Sequence, residues 1–363
     1  MAAASLAGWI SVHIARTLVT PVERRPERIR IVGSANGTVT LKADRDTMAP
    51  GAYSLYWGNR TGHARIGQVI SSDKKVGTVT RRVLKIYSGE LRPGTAGYWS
   101  GYVYPDPGAA GLPFDDVPLP GPAPAWLIPG TGRGSWVIHV HGLGGRRATG
   151  LRTAPFFHRL GFTQLLISFR GDPDAPPTGD GKHHLGLTEL ADVETALKYA
   201  ASHGAGRIII AGWSMGATMA LAAAHTSAYR DLIVGLVLTA PVLDWRRTLF
   251  SHTAAWLLPA ALATGALRIL GGPLHRFAGL AQPLDLRTLD FTGMAPPVPV
   301  IILHGVGDTS TPIRTSEDYA ARFPDLVSLV KFPSGRHTQE WNTWPQLWEG
   351  SVARWMRDST PSK

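Results

Sequence analysis

Ile208-Ile-Ile-Ala-Gly-Trp-Ser-Met-Gly-Ala217 is an apolar run that breaks at Gly212-Trp213-Ser214-Met215-Gly216 and resumes as an alanine-rich helical pattern to His225. The run before the glycines reads as a buried strand and the stretch after them as a helix. In a strand–turn–helix setting, G-x-S-x-G puts the serine on a sharp turn, where two glycines admit backbone into space that a side chain would fill. The five-residue pattern alone arises by chance; its setting makes Ser214 a candidate nucleophile.

The same grammar extends to both sides. Trp136-Val-Ile-His-Val140 ends in His141-Gly142, Leu165 to Phe169 in Arg170-Gly171, Leu232 to Thr239 in Ala240-Pro241, and Val298 to Leu303 in His304-Gly305. Near-continuous apolar strands, each followed by a loop and a helical stretch, predict a doubly wound, mostly parallel α/β sheet covered on both faces. Thr188 is placed to cap a helix over Glu189 to Ser202, with Leu190, Val193 and Leu197 on one face. More than fifty residues separate Pro241 from Val298, too many for a simple crossover, so a helical cap is expected at 245–292. Within it, the uncharged stretch Thr253 to Leu267 reads as a buried cap helix. Trp341, Trp344 and Trp348 recur at helical spacing and read as packing residues of the last helix.

Upstream, Arg28 to Val32, Thr38 to Leu41 and Tyr53 to Trp57 alternate like half-buried strands, broken by Gly33, Asn36-Gly37 and Pro50-Gly51. They predict a small β-rich N-terminal domain. Pro105, Pro107, Pro113, Pro118, Pro120, Pro122 and Pro124 read as an extended connector rather than a folded element, and domain plus connector span 28–123. Residues 1–27 form an N-terminal helical segment in which Leu6, Ile10, Ile14 and Leu18 recur every fourth position. The stretch lacks a basic n-region and is too short to span a bilayer. The expected location is therefore cytoplasmic, with the helix lying on its own protein or, through residues 1–20, on a membrane surface.

Composition excludes several classes. There is no cysteine, so disulfides, thiolate metal sites and a cysteine nucleophile are ruled out. The formal charge of +11 is dispersed along the chain without a nucleic-acid-binding motif, and no nucleic-acid partner is expected. His139, His141, His183, His184 and His304 match no zinc spacing and read as structural or pocket residues, so neither metal nor cofactor is expected.

A serine hydroxyl needs a base and an orienting acid. Asp308 follows the strand ending at Leu303, and His337 follows the apolar run Val327 to Phe332, so both fall at carboxyl ends of strands, where reactive groups gather in such sheets. An aspartate in a Gly-Val-Gly-Asp loop taken alone more often caps a turn, and Asp244 is the rival acid. The backbone N–H groups of Met215 and Leu143, with Gly144 as substitute for the latter, are the candidate oxyanion donors. His141, Trp213 and Arg170 are the expected substrate contacts, and Arg246 and Arg247 stand at the cap entrance.

On Gly212 to Gly216, His141-Gly-Leu-Gly-Gly, His304-Gly-Val-Gly-Asp and Gly335-Arg-His337, the sequence resembles the α/β-hydrolase fold family over roughly residues 124–358. More narrowly it resembles uncharacterised actinobacterial members with a cap between the sixth and seventh strands and an N-terminal β extension. The resemblance implies nucleophile Ser214, acid Asp308, base His337 and an oxyanion loop around Leu143. Met215 departs from the smaller or polar residues common there. About 90 residues of β domain cannot build a propeller, which weakens an oligopeptidase relation and leaves peptide substrates open. The expected activity is cleavage of a small-molecule carboxylic ester with an apolar acyl or alcohol group. A thioesterase or amidase/peptidase with the same triad, and a non-catalytic binding protein, are the alternatives.

Overall fold

The alternating strands near the N-terminus close on themselves. In the computed structural model, which describes residues 2–22, 25–119 and 123–359, they are β1 (Ile29–Ala35), β2 (Thr38–Lys42), β3 (Tyr53–Trp57), β4 (Gly62–Asp73), β5 (Thr78–Ser88) and β6 (Ala96–Ser100). They pair antiparallel as a closed barrel in the order β1-β2-β5-β4-β3-β6. The β1–β2 turn is the two-residue loop Asn36-Gly37, both with positive φ (50° and 71°), the conformation whose twist matches a hairpin. Ile29, Ile31, Val39, Leu41, Leu55, Ile66 and Val79 fill the interior. Arg81 is buried as well and satisfies its guanidinium on carbonyls. It donates to Thr47 O and Ala49 O at 2.7 Å, Gly51 O at 2.8 Å and Gly67 O at 2.6 and 2.8 Å, tying the 47–51 segment to β4.

The barrel ends at residue 100, before the proline-rich run begins at Pro105. Val103 already packs with Val137 and Phe156 of the second unit. Part of the proline-rich connector is also a strand: β7 (Asp115–Pro118) pairs antiparallel with β8 (Pro124–Ile128) at the edge of the second sheet. Pro118 faces Pro124 at the end of that edge ladder, where the absent N–H groups cost little. Met1, Glu23, Arg24, Pro120, Gly121, Pro122 and residues 360–363 lie outside the described residues.

The second sheet adds β9 (Ser135–Val140), β10 (Thr163–Ile167), β11 (Arg207–Trp213), β12 (Ile233–Thr239), β13 (Val300–Gly305) and β14 (Val327–Phe332), in the order β14-β13-β12-β11-β9-β10-β8-β7. β9 to β14 run parallel. Alternate residues supply two cores. Ile138, Ile210 and Leu238 pack with α3 (Leu190–Ser202) and α4 (Met215–Thr226) on one face. Val137, Ile209 and Val237 pack on the other with α2 (Ala154–Arg159) and, later in the chain, Trp348 and Val352. The chain is thus an α/β protein of the α/β-hydrolase architecture, preceded by a β-rich domain. Two local expectations change: Glu189 rather than Thr188 occupies the cap position of α3, because the Thr188 hydroxyl is engaged by His184 Nδ1 at 2.8 Å. The three tryptophans also do not share one helix. Trp341 lies in α8 (Glu340–Thr343), Trp344 between helices, and Trp348 in α9 (Pro345–Ser359). The remaining helix of this region, α7 (Ile313–Arg322), connects β13 to β14.

Between β12 and β13 stands the cap, with α5 (Trp245–Ala255) and α6 (Ala260–Gly271). The single buried helix expected over Thr253–Leu267 is broken, since Pro259 caps α6 and the turn before it exposes Trp256 (61%) and Leu257 (93%). α1 (Ala2–Val19) lies along α6, burying Ile14, Ala15 and Val19. Ser11 Oγ donates to Leu262 O at 3.3 Å, and a Cβ on Gly265 would fall 2.4 Å from that hydroxyl, so Gly265 permits the close approach. No helix among the described residues is long and apolar enough to cross a membrane.

Removing the Arg81 guanidinium while keeping its bulk leaves several buried carbonyls without donors, at about 1–3 kcal/mol each. Arg81→Leu is therefore expected to destabilise the protein by about 3–5 kcal/mol in urea unfolding followed by tryptophan fluorescence. A loss below about 1 kcal/mol would contradict this account of the barrel.

Candidate active site

Ser214 sits between β11 and α4 with φ 54° and ψ −113°, a conformation that L-residues avoid. Neighbouring backbone holds it there: Ser214 N–H donates to Thr239 O at 3.0 Å and Val242 N–H donates to Ser214 O at 3.2 Å. The motif glycines allow the crossing. A Cβ on Gly212 would lie 2.6 Å from Ala217 Cα, and one on Gly216 only 2.1 Å from Val140 O.

His337, in the loop after β14, places Nε2 2.8 Å from Ser214 Oγ and Nδ1 2.7 Å from Asp308 Oδ2. Asp308, after β13, has a fully buried side chain. It accepts the N–H groups of Ser310 (2.7 Å) and Thr311 (3.1 Å) and the Thr311 hydroxyl (2.9 Å), with His304 Nε2 at 3.4 Å. Burial alone would raise its pKa, but the hydrogen bonds and charges of His304 and His337 outweigh that and hold the carboxyl far below the usual range. The rival acid Asp244 instead caps α5, accepting the Arg246 N–H at 2.7 Å. Met215 opens α4, so its N–H has no intrahelical acceptor, and Leu143 lies in the turn after β9. Leu143 borders the same cavity as Ser214 and His337.

The three expected substrate contacts turn out to have other partners. His141 is buried; its Nε2 meets Asp172 Oδ2 at 2.7 Å, its Nδ1 meets Gly142 O at 2.9 Å, and its ring stacks on Phe169 at 4.0 Å. It anchors the Gly142–Gly145 turn rather than facing a ligand. The Trp213 indole, 1% exposed, is held between Trp348 (6.2 Å, nearly parallel) and the Arg152 guanidinium (4.2 Å), and Trp213 borders the polar cavity beside Ser214. Arg170 forks onto Asp192 at 2.8 and 3.1 Å. Arg247 reaches Asp318 at 3.3 Å, and Arg246 borders a separate cleft of about 910 Å³ between the cap helices and residues 271–287.

Sequence reasoning missed the residues that support this site. Arg152 is buried and donates to Thr338 O, to Asn342 Oδ1 at 2.8 Å and to Thr149 O at 3.1 Å; burial brings its pKa down to about 10. Asn342 Nδ2 in turn donates to Ala52 O (2.8 Å) and Gly101 O (2.9 Å) of the N-terminal unit. Tyr53 joins Thr343 at 3.0 Å, and Arg336 pairs with Asp46. The His337 loop is thereby clamped between the serine turn and the barrel. Glu340 is also buried and accepts the Gly305 N–H at 3.1 Å. Burial and the charge of Asp308 push its carboxyl up to about 8, against the pull of its own and the Gly305 N–H and of Arg152, so at neutral pH it adds little negative charge behind Asp308. Nothing local in the sequence marks these residues, whose partners lie far along the chain.

Ser214 stands where two kinds of cavity meet. One, about 250 Å³, is polar and bordered by Arg25, Tyr102, Thr149, Gln339 and the Gly142–Gly145 turn. The other, about 170 Å³, is lined by Leu18, Val242, Trp245 and Leu249. It shares Leu18, Leu143, Leu249 and His252 with a further apolar space of about 340 Å³ between α1 and α5.

The profile described as the prolyl oligopeptidase family matches residues 152–344, just over half of the chain. This chain belongs to the prolyl oligopeptidase family. A second profile, described as a domain of unknown function (DUF8805), covers residues 28–100, the barrel. Membership in the prolyl oligopeptidase family thus rests on the hydrolase unit, and the short β domain does not argue against it. No curated protein matches the chain. Among solved structures, esterase Pf2001 of Pyrococcus furiosus superimposes with TM-score 0.54 at 18% identity, covering 70% of this chain and 96% of that one. Another crystal form of that esterase gives 0.55 at 19%, covering 70% and 95%. Mouse α/β hydrolase domain-containing protein 10 gives 0.50 at 17%, covering 68% and 99%. At these identities the likeness shows the α/β-hydrolase fold of this prolyl oligopeptidase family member.

Glu340 keeps its proton to about pH 8 when folded and loses it near its ordinary value of 4.5 when unfolded. Between those values the folded state binds more protons, so this group makes stability fall as pH rises. Glu340→Gln is therefore expected to gain in urea midpoint relative to wild type from pH 5 to pH 8. A difference that stays constant with pH would contradict the assignment.

Proposed function

We propose that this protein is a serine hydrolase that cleaves a carboxylic ester of an apolar acyl or alcohol group. Ser214 Oγ attacks the carbonyl carbon while His337 Nε2 takes its proton, and Asp308 orients the Nδ1–H and stabilises the imidazolium. The N–H groups of Met215 and Leu143 receive the oxyanion, the alcohol leaves with the proton from His337, and an ester links the acyl group to Ser214. Water, deprotonated by His337, then attacks that ester, releasing the acid and regenerating the serine. The observation that carries this reading is the unbroken hydrogen-bond chain Ser214–His337–Asp308, at 2.8 and 2.7 Å. The apolar space beside Ser214, walled by Leu18, Trp245 and Leu249 and continuing between α1 and α5, supports an apolar group on one side of the scissile bond.

Family membership favours a second reading, an amidase or peptidase running the same steps with an amine as leaving group. A fluorescent fluorophosphonate is expected to label wild type and not Ser214→Ala, whose turnover of p-nitrophenyl esters falls by roughly 10⁴-fold or more. In a C2 to C8 acyl series, Leu249→Trp, which fills the apolar space, is expected to move the preference toward short chains. Peptide p-nitroanilides cleaved faster than any ester would put the peptidase reading first. Absence of labelling in well-folded wild type would refute both.

A further inference from the structure

Arg25 borders the polar cavity beside Ser214, and Arg60 and Arg146 lie beside the tyrosines and the glycine turn that adjoin it. Arg25 lies with its guanidinium carbon 5.9 Å from the Tyr102 ring and donates to Gly144 O at 3.2 Å. Arg60 lies 5.9 Å over the ring of Tyr98, and Tyr98 stacks on Tyr56 at 5.0 Å. Half-buried Arg146 adjoins the Gly142–Gly145 turn, and its charge interacts with Arg60, Tyr98 and Tyr102. Among the described residues, no carboxylate lies within 4.0 Å of any of the three. Asp174, which faces Arg146, is held by Arg147 at 3.1 Å, and Glu27 is occupied by the Asn59 N–H at 2.9 Å. Of the neighbouring cations, Arg147, Arg170 and Arg336 each have a carboxylate, and Arg152 has its donors met by carbonyl and amide oxygens.

Bringing like charges together without counter-charge is unfavourable, and backbone strain adds to the cost: Asn59 and Arg60, neither a glycine, hold φ of 53° and 73° in the β3–β4 turn. Guanidinium groups beside a polar cleft, with no carboxylate in contact among the described residues, favour an incoming oxyanion, which they bind through charge and fork-shaped donor sets. We propose that Arg25, Arg60 and Arg146 form an anion subsite that holds a carboxylate or phosphate group on the barrel-side half of the substrate. The substrate is then amphipathic, with an apolar portion toward α1 and α5 and an anionic portion toward the barrel. This inference rests on the hydrolase reading above for its reaction, and on the arginine geometry for the subsite.

Two pairs of esters matched in size test it. One carries the charge on the alcohol (4-carboxyphenyl against 4-carbamoylphenyl hexanoate), the other on the acyl group (mono-4-nitrophenyl glutarate against the 4-nitrophenyl ester of glutaramic acid). In one pair, wild type is expected to prefer the anion by at least tenfold in kcat/KM, and the double variant Arg60→Glu/Arg146→Glu to lose or invert that ratio. No preference in either pair, or a preference that survives the double variant, overturns the subsite. Thermal unfolding supplies a readout independent of turnover: inorganic phosphate at constant ionic strength is expected to raise Tm of wild type by about 2 °C and not that of Arg60→Ala/Arg146→Ala. Loss of fluorophosphonate labelling would remove the hydrolase reading while leaving this binding result to decide the subsite, and an equal Tm response in both proteins would end the proposal.

Discussion

Arg152 is a guanidinium withdrawn from water, and the parts of the molecule that matter for the site meet on it. Its donors end on the Thr338 carbonyl beside His337, on Asn342 and on Thr149, while its flat face covers Trp213 directly before Ser214. A buried cation without a carboxylate at hydrogen-bond distance is costly unless its donors are met, so the surrounding carbonyls are held in place by its demand for them. Asn342 passes that constraint to the barrel through Ala52 and to the segment just past β6 through Gly101. The barrel is thus a brace for the histidine loop rather than a loosely tethered module.

A second constraint is steric. The serine turn exists because α4 starts hard against the end of β9, so close that the Gly216 position has no room for a Cβ. That contact forces Ser214 into positive φ and presents its hydroxyl at the carboxyl edge of the sheet, where the β13 and β14 loops bring Asp308 and His337. Strain at the serine is sustained by backbone bonds to Thr239, the last residue of β12, and to Val242 in the loop just past it.

Much of this was legible in the sequence, for a physical reason. Parallel strands buried on both faces are written as unbroken apolar runs, and the residues just past their ends must gather along one edge. Ser214, Asp308 and His337 could therefore be named as candidates from the serine motif together with their strand-end positions. What proximity in sequence could not convey was side-chain direction. Trp213 and His141 adjoin the motifs yet point into the core, and Arg170 closes on Asp192. Arg152 and Asn342 were invisible because their partners lie far along the chain, as were Arg25 and Arg60, which precede the proline-rich run. The proline-rich run was misread for a related reason: a short edge strand needs few ladder bonds and tolerates the proline that would break a central one.

The central claim is that a covalent intermediate forms on Ser214. It is tested most directly by rapid acid quench during turnover of p-nitrophenyl hexanoate, followed by intact-mass measurement and peptide mapping. The account predicts one hexanoyl group, carried by the peptide that contains Ser214 and absent from Ser214→Ala. An acyl group on another residue, or steady hydrolysis with no acylated protein even where deacylation is slowed at low pH, would contradict it.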